Sequence, residues 1–165
     1  MEKRDLYDIN RNLTGETIYK GEPIPKSRYI SVVLSFIQNS KGEFLIQKRS
    51  KQKKGKYGST GGHSKAGETS LQGIIAEIRE EIGLKVAPEE LKLISSGRED
   101  TDQVFYDIYY LKKDFNISDL ILQKEEVDFV EWVSETQLKY LIDHGEFLDK
   151  HVAGAYALMD ALKKK

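Results

Sequence analysis

Two hydrophobic periods run through the chain. Residues 29–38 are almost continuously apolar and rich in β-branched side chains, which predicts a central strand covered on both faces. Asn39-Ser40-Lys41-Gly42 reads as a turn, and Glu43 to Gln47 (EFLIQ) as the return strand of a hairpin. Upstream, Leu6-Tyr7-Asp8-Ile9 and Glu16-Thr17-Ile18-Tyr19 alternate and predict a smaller hairpin over about 5–20, with turn residues from Asn10 to Gly15. Pro23 and Pro25 then mark an extended segment. Later apolar runs at 91–95, 104–111 and 127–133 predict further strands.

The other period is helical. Over 69–82, Leu71, Ile74, Ile75, Ile78 and Ile82 share one face; Thr69 with Gln72 forms a capping box, and Gly83 is a natural stop. Two more helices are expected at about 134–143 and 146–163. The last carries Phe147, Leu148, Val152, Ala155, Tyr156, Met159 and Leu162 on one stripe, a face suited to intramolecular packing or to a homodimer. Residues 48–67, dense in Lys and Gly, read as a loop. Strands and helices mix without strict alternation, so the fold class expected is α/β (α+β), a mixed sheet with helices on both faces.

Composition narrows the function. A chain of 165 residues suits one domain over 1–165. With 39% hydrophobic and 32% charged residues it can build a core, and a net charge of −1 argues against nucleic acid as the main partner. The absence of cysteine excludes disulfides, thiolate zinc sites and a thiol nucleophile. The opening MEKRDLYDIN has no apolar run of leader length and no stretch could span a bilayer; no membrane partner and a cytoplasmic location are expected.

Glu77, Glu80 and Glu81 stand at i, i+3, i+4 on the 69–82 helix, away from its apolar face. Two of them fall in the last turn, where the helix dipole disfavours carboxylates, and Glu77 and Glu81 are a like-charge pair. A divalent cation would relieve both penalties, and hard oxygen ligands suit Mg²⁺ or Mn²⁺. The preceding segment, Gly58-Ser59-Thr60-Gly61-Gly62-His63-Ser64-Lys65-Ala66-Gly67-Glu68, can turn backbone N–H groups toward an anion. The basic run from Lys48 to Lys56 could face phosphates.

Together, GHSKAGETSLQGIIAEIREEIGL at 62–84 resembles the Nudix box. Gly62, Glu68, Glu77, Ile78, Glu80, Glu81, Gly83 and Leu84 fall in register, and Ala76 stands where the family usually has Arg. The segments DLYDINRN, EFLIQKRS, GGH and VDFVEWVS resemble the subgroup related to type I isopentenyl-diphosphate isomerase. The resemblance implies an α/β/α sandwich with a strand-loop-helix-loop motif and cleavage of a diphosphate by water. Glu77, Glu80 and Glu81 would bind Mg²⁺ or Mn²⁺, with Glu68 and a backbone carbonyl near Gly61 or Gly62 as further ligands. Glu77, Glu80 or Glu126 would orient or deprotonate the water. Arg49 and Lys53 would clamp the diphosphate, with Gly61 and His63 also on the substrate, and Arg79 would stand in for the missing arginine.

Isomerisation is not expected. Its cysteine position holds Gly61 and a histidine position on the preceding strand holds Ile30, neither able to move a proton. Asp100 and Asp102 read as turn residues and Trp132 as core; Tyr57, Tyr106 and Glu125 remain minor candidates. The substrate expected is a small diphosphate, either a nucleoside di- or triphosphate or a nucleotide sugar. The alternative function is a Nudix-fold protein that binds a nucleotide without cleaving it.

Overall fold

The computed structural model describes residues 2–53 and 55–164; Lys54 of the basic run lies outside them, as do Met1 and Lys165. The first hairpin pairs β1 (Lys3–Tyr7) with β2 (Leu13–Tyr19). Its turn comes earlier than Asn10 to Gly15: Asp8 Oδ1 accepts the N–H groups of Asn10 and Asn12 and closes it. The main sheet contains β3 (Ile30–Gln38), β4 (Phe44–Arg49), β5 (Tyr57–Gly58), β6 (Thr60–His63), β7 (Leu91–Glu99), β8 (Val104–Lys112) and β9 (Val127–Val133). β3 and β8 run parallel at its centre and the other pairings are antiparallel, so the sheet is mixed.

Two helical layers cover it. On one face α1 (Ser70–Ile82) buries Ile74, Ile78 and Ile82 against Val33, Ile37, Leu45, Tyr109 and Leu111. On the other, α2 (Glu135–Asp143) and α3 (Asp149–Lys163) bury Leu138, Ala155, Leu158 and Met159 against Leu34, Phe36, Phe44, Ile46 and Ile108. This is the expected α/β/α sandwich. The apolar stripe of α3 is used inside the chain. Tyr156 points away from it, and Phe147 and Leu148 precede the helix: Phe147 bridges to Tyr57, and the N–H of Leu148 is donated to the Tyr57 carbonyl.

The segment 48–67 is not the loop expected from its glycines and lysines. β3 and β4 pair only at Ile37↔Leu45 and Gln38↔Phe44. Beyond that they part, and β6 takes over the free edge of β3 from Val32↔His63 to Ser35↔Thr60. Glycine makes this approach feasible, because a Cβ on Gly61 would lie 2.2 Å from the Val33 carbonyl oxygen. The strand is thus built from residues with low strand propensity, held by pairing remote in sequence.

α1 ends as its sequence predicts. Thr69 accepts the Gln72 N–H, the Gln72 side chain answers to Thr69 N–H, and Gly83 stops the helix at φ 71°. Its last carbonyls are capped from outside: Ile121 N–H donates to Ile82 and Gln123 N–H to Glu81. The same segment reaches β4, because Ser50 N–H donates to the Glu126 carbonyl.

Gly61→Ala tests the insertion. The clash is with backbone that cannot step aside, so the variant should lose about 2–3 kcal/mol or more in urea unfolding.

Candidate active site

The parting of β3 and β4 opens a gap that α1 fills with carboxylates. Glu81, expected on the solvent side, is only 8% exposed. Its Oε1 accepts the Gly61 N–H at 3.0 Å, and the Gln47 side chain also bonds to it. Gln47 is itself oriented: its Oε1 takes the Thr60 hydroxyl at 2.9 Å, which leaves its NH₂ for the carboxylate. Glu77 lies over Gly62, where a Cβ would sit 2.7 Å from the carboxyl group. Glu80 reaches outward, and Lys65 Nζ donates to both its oxygens at 3.0 and 3.1 Å.

Burial sets the proton affinity of this group. Desolvation pushes the Glu81 carboxyl up to about 8, helped by the charge of Glu77 and opposed by the Gly61 N–H. Desolvation also pushes Glu77 up to about 7, against the pull of Lys65. Among the described residues no three carboxylates or imidazoles are already drawn to metal-ligand spacing. The donor set is nevertheless all oxygen, with Glu77 and Glu81 desolvated, in no ion pair among the described residues, and cradled by two glycines. It suits a hard divalent cation, provided Glu80 releases Lys65.

A cleft of about 980 Å³ collects most of the residues singled out from the sequence. Glu77, Glu80 and Glu81 line it with Gly61 and Gly62. Arg49, Lys53, His63 and Glu126 complete the set. Lys53 lies 3.4 Å from Glu126, so clamp and candidate base are paired with each other, whereas Arg49 has no carboxylate partner among the described residues. His63 stands on β6 rather than in a loop, and burial with nearby Arg4 brings its imidazole down to about 4.

Two expectations need correction. Glu68 does not reach the cleft wall; its Oε1 accepts the Lys65 N–H at 2.6 Å and closes the turn before α1. Arg79 is exposed and makes no ion pair, so it does not replace the arginine missing at Ala76; Gly61 and Gln47 hold Glu81 instead. Asp100 is a turn residue as expected, tied to the Tyr29 hydroxyl at 2.7 Å and to Arg98. Trp132 packs on the core beside Phe115.

Sequence reasoning passed over Gln47, Ser59, Lys65 and His151. The last is the least visible, because its contact with Ser59 spans 92 residues. Burial and Arg49 bring the His151 imidazole down to about 4.

The comparisons with known proteins agree with this geometry. A family profile described as the NUDIX domain matches residues 28–153. The uncharacterized Nudix hydrolase lmo0368 of Listeria monocytogenes is 38% identical over 152 residues, covering 90% of this chain and 89% of its own. The crystal structure of DR0079 from Deinococcus radiodurans superposes with a TM-score of 0.71 at 25% identity, covering 88% of this chain and 91% of that one. The NUDIX domain of Shewanella oneidensis NrtR, solved with ADP ribose, gives a TM-score of 0.64 at 14% identity over 81% of this chain and 88% of its own.

The titrating groups predict a pH dependence of stability. Glu77 and Glu81 have folded pKa values above the ordinary 4.5, so the folded state holds extra protons and stability falls as pH rises toward 8. His63 and His151 work the other way, gaining stability between about 4 and 6.5. Above pH 6.5 only the carboxylates remain. The Tm of protein kept in EDTA should therefore fall between pH 6.5 and 8.5, with Glu81 contributing on the order of 2 kcal/mol. Glu81→Gln should flatten most of that fall in a thermal melt series.

Proposed function

The chain belongs to the Nudix family, and on that premise we propose that it hydrolyses a diphosphate linkage in a nucleoside diphosphate derivative, with water as nucleophile. The observation that carries the reading is the pair Glu77 and Glu81: two desolvated carboxylates side by side, Glu81 met by neutral donors, and neither in an ion pair among the described residues. A fold gains nothing by burying two like charges this way unless a cation joins them.

Nudix hydrolases generally use divalent metals. Here Glu77, Glu80 and Glu81 would hold Mg²⁺ or Mn²⁺, with a carbonyl near Gly61 or Gly62 as a further ligand. The bound cation would supply charge neutralisation on the diphosphate and acidify a water. The chain's own residues do the rest. Arg49, in no ion pair among the described residues, binds phosphoryl oxygens, and Lys53 joins it when Glu126 turns to the water. Glu126 or Glu77 takes the proton. Gly61 and His63 border the substrate.

The cleft's size suits a nucleotide-sized ligand, and the NrtR domain bound to ADP ribose is a relative in fold that accommodates one. A nucleoside di- or triphosphate or a nucleotide sugar fits this chemistry. The DLYDINRN, EFLIQKRS, GGH and VDFVEWVS segments support a place near the isomerase-related subgroup, and the first hairpin lends Arg4 and Ile18 to the cleft lining. Ala76 favours a second reading, a domain that binds such a ligand without cleaving it.

A panel of nucleoside diphosphates, triphosphates and nucleotide sugars with Mg²⁺ or Mn²⁺ decides between them. Turnover is expected, abolished by EDTA and reduced at least about 100-fold by Glu77→Gln or Glu80→Gln. Gly62→Ala should melt near the wild-type temperature, because its Cβ meets only a movable carboxylate, yet lose comparable activity. Saturable binding without release of phosphate, pyrophosphate or nucleoside monophosphate across the whole panel would establish the non-cleaving reading.

A further inference from the structure

We propose that His151 is a substrate-contacting residue whose Nε2–H donates to a non-bridging phosphoryl oxygen of the bound diphosphate, beside Arg49. The proposal rests on the diphosphate reading and adds to it a residue outside the box, from the opposite helical layer.

The imidazole is built into its place. Gly58 has no side chain, and a Cβ there would lie 2.9 Å from His151 Nδ1 and 2.8 Å from Leu148. The ring therefore lies directly on the backbone entering β6, with Phe147 edge-on at 6.3 Å. The Ser59 N–H donates to Nδ1 at 3.1 Å, and the Ser59 hydroxyl lies 3.3 Å from the same atom. A backbone N–H can only donate, so Nδ1 is the bare nitrogen and the ring hydrogen sits on Nε2.

That hydrogen has no protein acceptor. No side chain or backbone group among the described residues pairs with Nε2, and no fully buried polar side-chain atom there is left unpaired. Nε2 is therefore not fully enclosed, and His151 lines the cleft that holds the acidic residues and Arg49.

The position agrees with the chemistry. Ser59 N–H holds His151 from α3, and Gly61 N–H holds Glu81 from α1. The imidazole and the carboxylates thus meet at one edge from opposite layers. Beside the cationic clamps Arg49 and Lys53, a neutral N–H adds a directed bond without added charge. With its free nitrogen already protonated, His151 cannot act as the base.

The test uses the full-length protein with methylenediphosphonate, a non-hydrolysable diphosphate, in the presence of Mg²⁺. The chain has three histidines, so ¹⁵N imidazole spectra are resolvable, and exposed His144 serves as the internal control. The Nε2–H tautomer is expected for His151 at pH 7, with its Nε2 signal shifting on ligand addition and that of His144 unmoved. By calorimetry His151→Ala should weaken binding about 5–20-fold, and His151→Asn, which keeps an acceptor for Ser59 and a donor for the cleft, should recover part of it. In turnover the loss should fall on KM more than on kcat.

An unmoved His151 signal while the wild type binds the probe overturns the proposal. Binding by folded His151→Ala within twofold of wild type does so too. A wild type that binds no diphosphate at all instead overturns the diphosphate reading beneath it. The wild-type spectrum decides the matter even if the alanine variant fails to fold.

Discussion

The close approach of Gly61 to the Val33 carbonyl governs how the rest of the molecule is arranged. Because nothing projects from Gly61 toward β3, a four-residue strand can take the edge that β4 relinquishes after two paired positions. The other edge of that strand then presents its N–H groups to the gap. That of Gly61 is met by a carboxylate from the helix on one face of the sheet, and the Ser59 N–H just before the strand is met by an imidazole from the helix on the opposite face. The site is a by-product of strand pairing: the backbone that fills the sheet is the backbone that organises the acids.

Electrostatics explains why the acids tolerate this place. Of the three, Glu80 alone forms an ion pair among the described residues, with Lys65, and it is the one facing outward. Glu81 receives the Gly61 N–H and the Gln47 amide, donors that hold its direction without neutralising it. A buried carboxylate oriented but not neutralised retains its appetite for a cation, and structural salt bridging would have removed it.

How far the sequence led depended on the range of each interaction. α1 was readable to its last residue, because the capping box, the isoleucine period and Gly83 act within a few positions. The central strands were readable from apolar runs. β6 was not, since two of its four residues are glycines and its stability comes from pairing with β3 some thirty positions away. Glu81 looked solvent-facing because helical periodicity knows nothing of a gap between strands. Arg79 looked like a substitute for the missing arginine because linear proximity hides that its side chain points outward. His151 had no local pattern at all. The start of α3 was misplaced because Phe147 and Leu148 fit the helical stripe yet pair with Tyr57 instead.

The capping of α1 by the segment from Ile121 to Gln123 has a mechanical meaning. Those two amides tie the end of the acid-bearing helix to a stretch whose next bonds run through Glu126 to Ser50 on β4. Gly83 leaves no clearance there, since a Cβ would lie 2.9 Å from the Ile121 nitrogen. Helix terminus, crossing strap and strand end are therefore linked in series, so Glu126 and the acidic cluster share one rigid frame. Thermal breathing that opened one would drag the others, and the amides of Ile121 and Gln123 would exchange their hydrogens for deuterium as one cooperative unit.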